Sequence, residues 1–285
     1  MPKELTHWKI AEESLEKSEY SSLKRIILNN KNLYLLGAVF PDTLLYGIGK
    51  KLLDFRLLGV NIHDNAVSAQ SFLKEGLKTD DSFFEKAIPF AVGIVTHLET
   101  DAIFHPSINW FSENSIKKHY LIETALDQYF TKGTEQKISM RELLRKTDSQ
   151  TLTTVVSRFF KNSSAENNSK IISLFELHAK IQSLFFSRIA SKLISFADNS
   201  LGGQIAEKEL FYYKDSIKRA AFFLEKRSYL NLENKEIGFS PEDLYQEAIE
   251  KITTTINTIS RYNLDLLSEK LPEFINKIPS TGEME

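Results

Sequence analysis

Five residues in one stretch of this chain carry metal-ligating chemistry at helical spacing. His97, Asp101 and His105 stand four apart, and so do His119 and Glu123. Residues i and i+4 share one face of an α-helix, so each pair can aim two ligand atoms at a single point. Imidazole nitrogen and carboxylate oxygen are ligands of catalytic zinc, which keeps one position open for water. One His-x-x-x-Asp alone is commonly an ion pair or a core histidine. Two pairs that share no residue favour a metal, and more than one ion. Glu99 lies two residues from both His97 and Asp101, so it faces away from them, and solvent or a salt bridge is expected there. Asp42 after Pro41, His63 before Asp64, and His7 before Trp8 are weak signals singly: a helix start, a loop and a surface residue explain them as well. His178 lies far from the cluster and reads as structural.

Helices must position these groups. Apolar residues recur at three and four nearly everywhere, Gly and Pro number only eleven and seven, and strict alternation is rare, which argues an all-α chain. The pattern predicts a helix over 10–28 with Thr6 as its cap. A central, buried helix should run from about Phe83 to Phe104, capped by Asp81 and ended by Pro106. The next helix, over 115–131, carries His119 and Glu123. Residues 162–169 read as a polar loop. Long helices are expected over 171–196, 204–227 and 241–271, and disorder after Pro279. Phe104, Trp110 and Phe111 lie near His105 as either a substrate wall or core packing, and core packing is favoured.

Composition narrows the function. The 285 residues, 42% hydrophobic and 26% charged, suit a single all-helical domain over 1–285, with the metal site within 1–130 and helical completion over 165–278. A net charge of −2 gives no global basic field for nucleic acid or an anionic membrane, although Lys117 and Lys118 form a local patch. The absence of cysteine excludes disulfides and thiolate zinc sites. The N-terminus has no secretory pattern, and the apolar run 87–95 is interrupted by Pro89 and Gly93 and too short to span a bilayer. A cytoplasmic location without a transmembrane segment is therefore expected.

Taken together, the motifs come in a familiar order. Thr6-His7-Trp8, Gly37-Ala38-Val39-Phe40-Pro41-Asp42, His63, His97-x-x-x-Asp101-x-x-x-His105-Pro106 and His119-x-x-x-Glu123 resemble zinc-dependent phospholipase C, over residues 6–123. The resemblance implies an all-α, multi-helix bundle and two or three zinc ions. It implies one zinc on Asp42, His63, His97 and Asp101, a second on His105, His119 and Glu123, and a third sharing Asp101 with His7. Asp42 and Asp101 would be catalytic, Asp42 as a base or water-orienting group. The implied reaction is phosphodiester hydrolysis by a metal-activated water, which closely spaced zinc ions favour physically. The choline-holding residues of the secreted enzymes have no clear counterpart, so the substrate is left as a phosphodiester or phospholipid-like molecule, with peripheral membrane contact open. Two alternatives remain. One is an S1/P1-type nuclease, for which no basic groove with interleaved aromatics is apparent. The other is a non-catalytic zinc-binding helical protein.

Overall fold

A computed structural model describes residues 3–47, 52–78, 83–132, 138–160, 165–212, 216–225, 227–230, 236–262 and 264–275. The chain begins with α1 (Glu4–Lys17), α2 (Ser22–Asn29), α3 (Lys31–Gly37), α4 (Phe40–Leu45), α5 (Leu53–Asp64) and α6 (Ala66–Gly76). Then come the long α7 (Phe84–Ser112), α8 (Ile116–Phe130), α9 (Met140–Lys146), α10 (Ser149–Ser157), α11 (Ala165–Phe185) and α12 (Arg188–Ser200). A 3-10 turn at Ala206–Leu210 leads to the short α13 (Ser216–Arg219) and α14 (Ala221–Leu224). A small antiparallel hairpin, β1 (Arg227–Leu230) and β2 (Glu236–Phe239), precedes α15 (Pro241–Ile259) and α16 (Leu264–Ile275). The fold is all-α, and the hairpin is its sole strand pair among the described residues.

The central helix is longer than its prolines suggest. α7 runs unbroken through Pro89 and Pro106, so Pro106 does not end it. A proline inside a helix costs about 3 kcal/mol, because it removes one hydrogen bond and crowds the carbonyl four residues back. Pro106 sits on the exposed side, while Phe104, Ser107 and Ile108 around it are fully buried. Packing of those neighbours offsets the lost bond. At 29 residues α7 is also long and apolar enough to cross a membrane, contrary to the short run read from 87–95. Yet 89% of its apolar window is buried inside the protein, so here it is the core helix. Helices α1, α2, α3, α4, α6, α8, α10, α15 and α16 all pack on it.

Two glycines bring α3 against α7. A Cβ at Gly93 would lie 2.2 Å from the Tyr34 carbonyl oxygen, and one at Gly37 would lie 2.2 Å from the Phe90 carbonyl oxygen. Only bare backbone allows this approach. Its consequence is local to the site. Ala38, next to Gly37, comes within hydrogen-bonding reach of His97, one turn beyond Gly93. Phe40 then anchors α4 in an aromatic cluster with Phe90 at 5.0 Å and Phe175 at 5.6 Å between ring centroids, which carries Asp42 to the same place.

Side-chain oxygens interrupt the longer helices that periodicity predicts. The expected helix over 10–28 divides at Ser18, whose hydroxyl donates to the Leu15 carbonyl, and Ser21 caps α2 by accepting from the Lys24 amide. Thr6 lies inside α1 rather than at its cap. The 171–196 stretch breaks at Ser187, which caps α12. In place of the helix expected over 204–227, the described residues form the 3-10 turn and two single-turn helices, with Glu209 buried there and bound by Arg219. Residues 241–271 divide into α15 and α16. Such oxygens offer the backbone a partner outside the helix ladder. Of the expected loop 162–169, residues 165–169 belong to α11. The remainder of that loop, the Asp81 cap and the tail after Pro279 lie outside the described residues.

Candidate metal centre

The first ligand is placed by a borrowed cap. Lys3 precedes α1 without offering a side-chain cap. Asp127 of α8 does so instead, accepting from the Leu5 amide at 3.1 Å, the Thr6 amide at 2.9 Å, the Thr6 hydroxyl at 2.5 Å and the Tyr212 hydroxyl at 2.8 Å. These amides are the orphan donors of a helix start. Trp8 holds the same turn from the other side, donating its indole N–H to the Leu35 carbonyl at 2.9 Å. His7 lies between the two anchors, fully buried, with its ring stacked on His97 at 4.2 Å.

Around His7 converge α4, α5 and α7. His97 Nδ1 contacts the Ala38 carbonyl at 3.0 Å, and His63 Nδ1 contacts the Gly59 carbonyl at 2.7 Å. A carbonyl can only accept, so each Nδ1 carries the proton and each Nε2 is left with a lone pair. Those two Nε2 atoms are 3.1 Å apart. Asp42 Oδ1 lies 3.4 Å from His63 Nε2 and 3.7 Å from His97 Nε2. Asp101 Oδ2 lies 3.1 Å from His97 Nε2, and its Oδ1 lies 3.3 Å from His7 Nε2. Lone pairs and carboxylate oxygens therefore face each other with no proton between the two imidazoles. Both oxygens of Asp101, Oδ1 of Asp42 and both nitrogens of His7 are buried without a well-formed hydrogen bond. Burying such groups is costly unless a cation joins them.

A second group lies one turn further along α7. His105, His119 and Glu123 each offer a ligand atom within 4.8 Å of the others. The pair on α8 is close, with His119 Nε2 2.8 Å from Glu123 Oε1, and the His105 ring centroid is 5.9 Å from that of His119. His105 Nε2 is buried with no hydrogen-bond partner. A tight turn makes this meeting possible: Glu113 and Asn114 adopt the left-handed conformation, and Ser115 caps α8. The same 4.8 Å spacing unites His7 with Asp42 and His97, and His63 with His97 and Asp101. All eight residues singled out by spacing and motif thus meet in two adjoining groups, with Asp101 on the helix face between them.

Electrostatics suits cation binding. Burial pushes His105 well below the usual imidazole range and brings His119 down to about 3. Both rings are therefore neutral at physiological pH, the form a metal requires. Burial alone would raise Asp101, but the surrounding imidazoles of His97, His105 and His7 hold it well below the carboxylate range. The donor set is all nitrogen and oxygen, arranged as a five-residue and a three-residue group, and it fits divalent zinc.

Other buried groups support the cluster from behind. His178 Nε2 contacts Glu4 Oε1 at 2.7 Å, and its Nδ1 contacts the Thr43 hydroxyl at 2.9 Å. The chain Glu4–His178–Thr43 ties α1 to α11 and to α4, beside Asp42, so the structural reading of His178 holds. Burial raises Glu4, but the hydrogen bond and charge of His178 and the charge of Lys3 outweigh it and lower Glu4 to about 2. Glu4 and Thr43 have no local spacing signal. Asp127 has one, since His119, Glu123 and Asp127 continue the same four-residue period. Glu99 faces away from the ligands as expected, but not toward solvent. It is buried and accepts from the Thr255 hydroxyl of α15 at 2.7 Å. Phe104 is core, Phe111 is partly buried, and Trp110 is nearly half exposed.

Comparison with known families identifies the chain. The family model described as zinc-dependent phospholipase C matches residues 6–193, more than half of the sequence. The match extends well beyond the motif region and takes in α9 to α11. No curated protein and no solved structure matches the chain. The protein belongs to the zinc-dependent phospholipase C family.

Proposed function

We propose that the protein hydrolyses a phosphodiester of a phospholipid or phospholipid-like substrate, with two or three zinc ions held by the eight clustered residues. Asp42, His63, His97 and Asp101 hold one ion. His105, His119 and Glu123 hold a second. His7 with Asp101 holds the third. The observation that carries this reading is the meeting of His63 and His97. Each gives its Nδ1 proton to a backbone carbonyl, and the two unprotonated Nε2 atoms stand 3.1 Å apart beside two carboxylates. Bound there, zinc lowers the pKa of water and clamps phosphoryl oxygens during in-line displacement.

The chain's own residues do the positioning. The carbonyls of Ala38 and Gly59 fix both ring orientations, as outer-shell partners of metal-bound histidines do. Asp42 is the carboxylate of the first group nearest solvent, at 8% exposure against 1% for Asp101. It therefore orients the attacking water and accepts its proton. The second group has three protein ligands, which leaves room for a substrate oxygen. A purely structural zinc would be closed by four.

The test combines metal content with turnover. Zinc-loaded protein should contain two or three ions per chain and hydrolyse a chromogenic phosphodiester. Glu123→Gln should lose one ion and its turnover while keeping its helicity by circular dichroism. A variant that keeps its metal and full activity would remove the second group from the chemistry. A wild type with only trace metal after loading would sink the reading altogether.

A further inference from the structure

Helix α12 presents an apolar face to solvent. Ile189, Leu193 and Phe196 are spaced four and three apart, so they form one stripe, and they are 74%, 65% and 74% exposed. Leu201 extends the stripe past the helix end at 56% exposure. Single exposed apolar residues are ordinary, whereas a contiguous row marks an interaction surface. The other side of α12 is firmly attached. Asp198 is buried there, accepts from the Ile205 amide at 2.8 Å and pairs with Lys208.

That attachment leads to the metal centre. The Asp198 carbonyl accepts from the Gly203 amide at 2.8 Å, and the Gly203 carbonyl accepts from Lys117 Nζ at 2.9 Å. Lys117 stands two residues before His119. The 3-10 turn that follows α12 packs along α8, the helix of His119 and Glu123. The helix that carries the stripe is thus tied, through its C-terminal turn, to the helix that carries His119 and Glu123.

Charge identifies the occupant. The exposed charges of α12 are Arg188 and Lys192, both cationic, while its one acid, Asp198, points inward. Protruding Phe, Leu and Ile beside lysine and arginine are the composition of a helix lying in a lipid interface, where apolar side chains enter the acyl boundary and the cations meet anionic head groups. We propose that α12 is a membrane-docking helix, which seats the protein on a bilayer containing anionic phospholipid and brings the metal centre to its head groups. This rests on the phospholipid reading above, because a soluble phosphodiester would need no such face.

Vesicle sedimentation tests it. The full-length, zinc-loaded wild type should partition onto vesicles of phosphatidylcholine mixed with phosphatidylserine, more weakly onto phosphatidylcholine alone, and less as salt rises. Leu193→Asp and Phe196→Asp should each lower partitioning by about tenfold. Arg188→Gln with Lys192→Gln should remove the preference for the anionic vesicles. Tyr20→Asp, at an 80% exposed position in the turn after α1, serves as a control that leaves partitioning unchanged. Turnover of a short soluble phosphodiester should be the same in all of them. A wild type that stays in the supernatant, or stripe variants that sediment like wild type, would overturn the proposal. So would a wild-type dimer that the Leu193 variant converts to a monomer without changing vesicle binding, because the stripe would then be a self-interface. A wild type that binds vesicles but cleaves no phosphodiester supports the docking face while refuting the hydrolase reading.

Discussion

Two faces of α7 bury a carboxylate each, and they treat it in opposite ways. Asp101, on the face toward α1 and α5, lies among His7, His63 and His97, and His97, His105 and His7 hold it well below the usual range against the effect of burial. Glu99, on the face toward α15, accepts from the Thr255 hydroxyl and feels the charge of Lys251, yet burial outweighs both and raises it to about 7. Depth is nearly the same, at 1% and 3% exposure. The partners differ, and with them the use: one acid stays ionised among cation ligands, and the other is close to neutral in the core. A buried acid thus indicates a metal site only through what surrounds it.

Asp101→Asn should break the comparison on its reactive side. In the proposed arrangement Asp101 serves both the ion of Asp42, His63 and His97 and the ion of His7, so its loss removes a negative ligand from each. Turnover of a phosphodiester should fall by more than the roughly 10–100-fold typical of outer-shell partners, and zinc per chain should fall with it. Elemental analysis and a chromogenic assay on the same preparation measure both. Unchanged zinc would mean that Asp101 is only an ion-pair partner of its histidines.

Gly93→Ala should act on the same face without touching a ligand. The new methyl would collide with the Tyr34 carbonyl oxygen and the Ala38 amide, neither of which can swing away as a side chain would. Separating α3 from α7 should cost about 3 kcal/mol by overpacking and loosen the Ala38 contact to His97. Urea unfolding measures the first effect, and a fall in zinc affinity the second. A variant as stable as wild type would show that the two helices have slack.

His178→Ala should cost less, about 1–3 kcal/mol, by leaving Glu4 and the Thr43 hydroxyl without their buried partner. The loss has a pH signature. Glu4 lies at about 2 in the folded protein, below its ordinary 4.5. The stability it contributes is fully present above 4.5 and is lost as pH falls through about 2. Without His178 the folded value should rise, and acid unfolding should begin at higher pH. Overlapping acid titrations of variant and wild type would remove this network from the support of the site.

These differences also mark where sequence is legible. The ligands on α7 and α8 are visible because their four-residue period belongs to the helix itself, and the same period reaches Asp127. His7, Asp42 and His63 are single residues, made specific by family resemblance and brought together by the glycine contact of α3 with α7. Glu4 and Thr43 meet His178 across 174 and 135 residues, where no local pattern extends. The long path through α7 was hidden by Pro106, whose local preference is overridden by the burial of Phe104 and Ile108. Between 186 and 239 the helix period misleads. There Ser187, Gly202, Gly203 and the buried Asp198 and Glu209 direct the backbone through polar contacts, so a 3-10 turn and two single-turn helices stand where a long helix over 204–227 is expected, and a hairpin follows that no period marks.

Glu99→Gln should have the smallest effect and sharpen the comparison from its quiet side. Gln has the shape of the neutral acid, and its carbonyl oxygen can still accept from the Thr255 hydroxyl. Since Glu99 lies away from the ligands, zinc content and turnover should stay at wild-type levels. Stability should respond to pH instead. A folded pKa of about 7 lies above the ordinary 4.5, so the fold favours the protonated acid. Its contribution is fully present below 4.5 and is lost as pH rises through about 7, because ionisation then places a charge in the core that the Thr255 hydroxyl and the Lys251 charge offset only in part. The glutamine never ionises, so this loss should disappear. Thermal unfolding from pH 5 to 9 should therefore show the variant matching wild type at the acid end and exceeding it at the alkaline end. Parallel curves would mean that Glu99 remains charged in the core. Lost turnover would mean that both faces of α7 serve the metal centre, and the contrast between its two acids would fail.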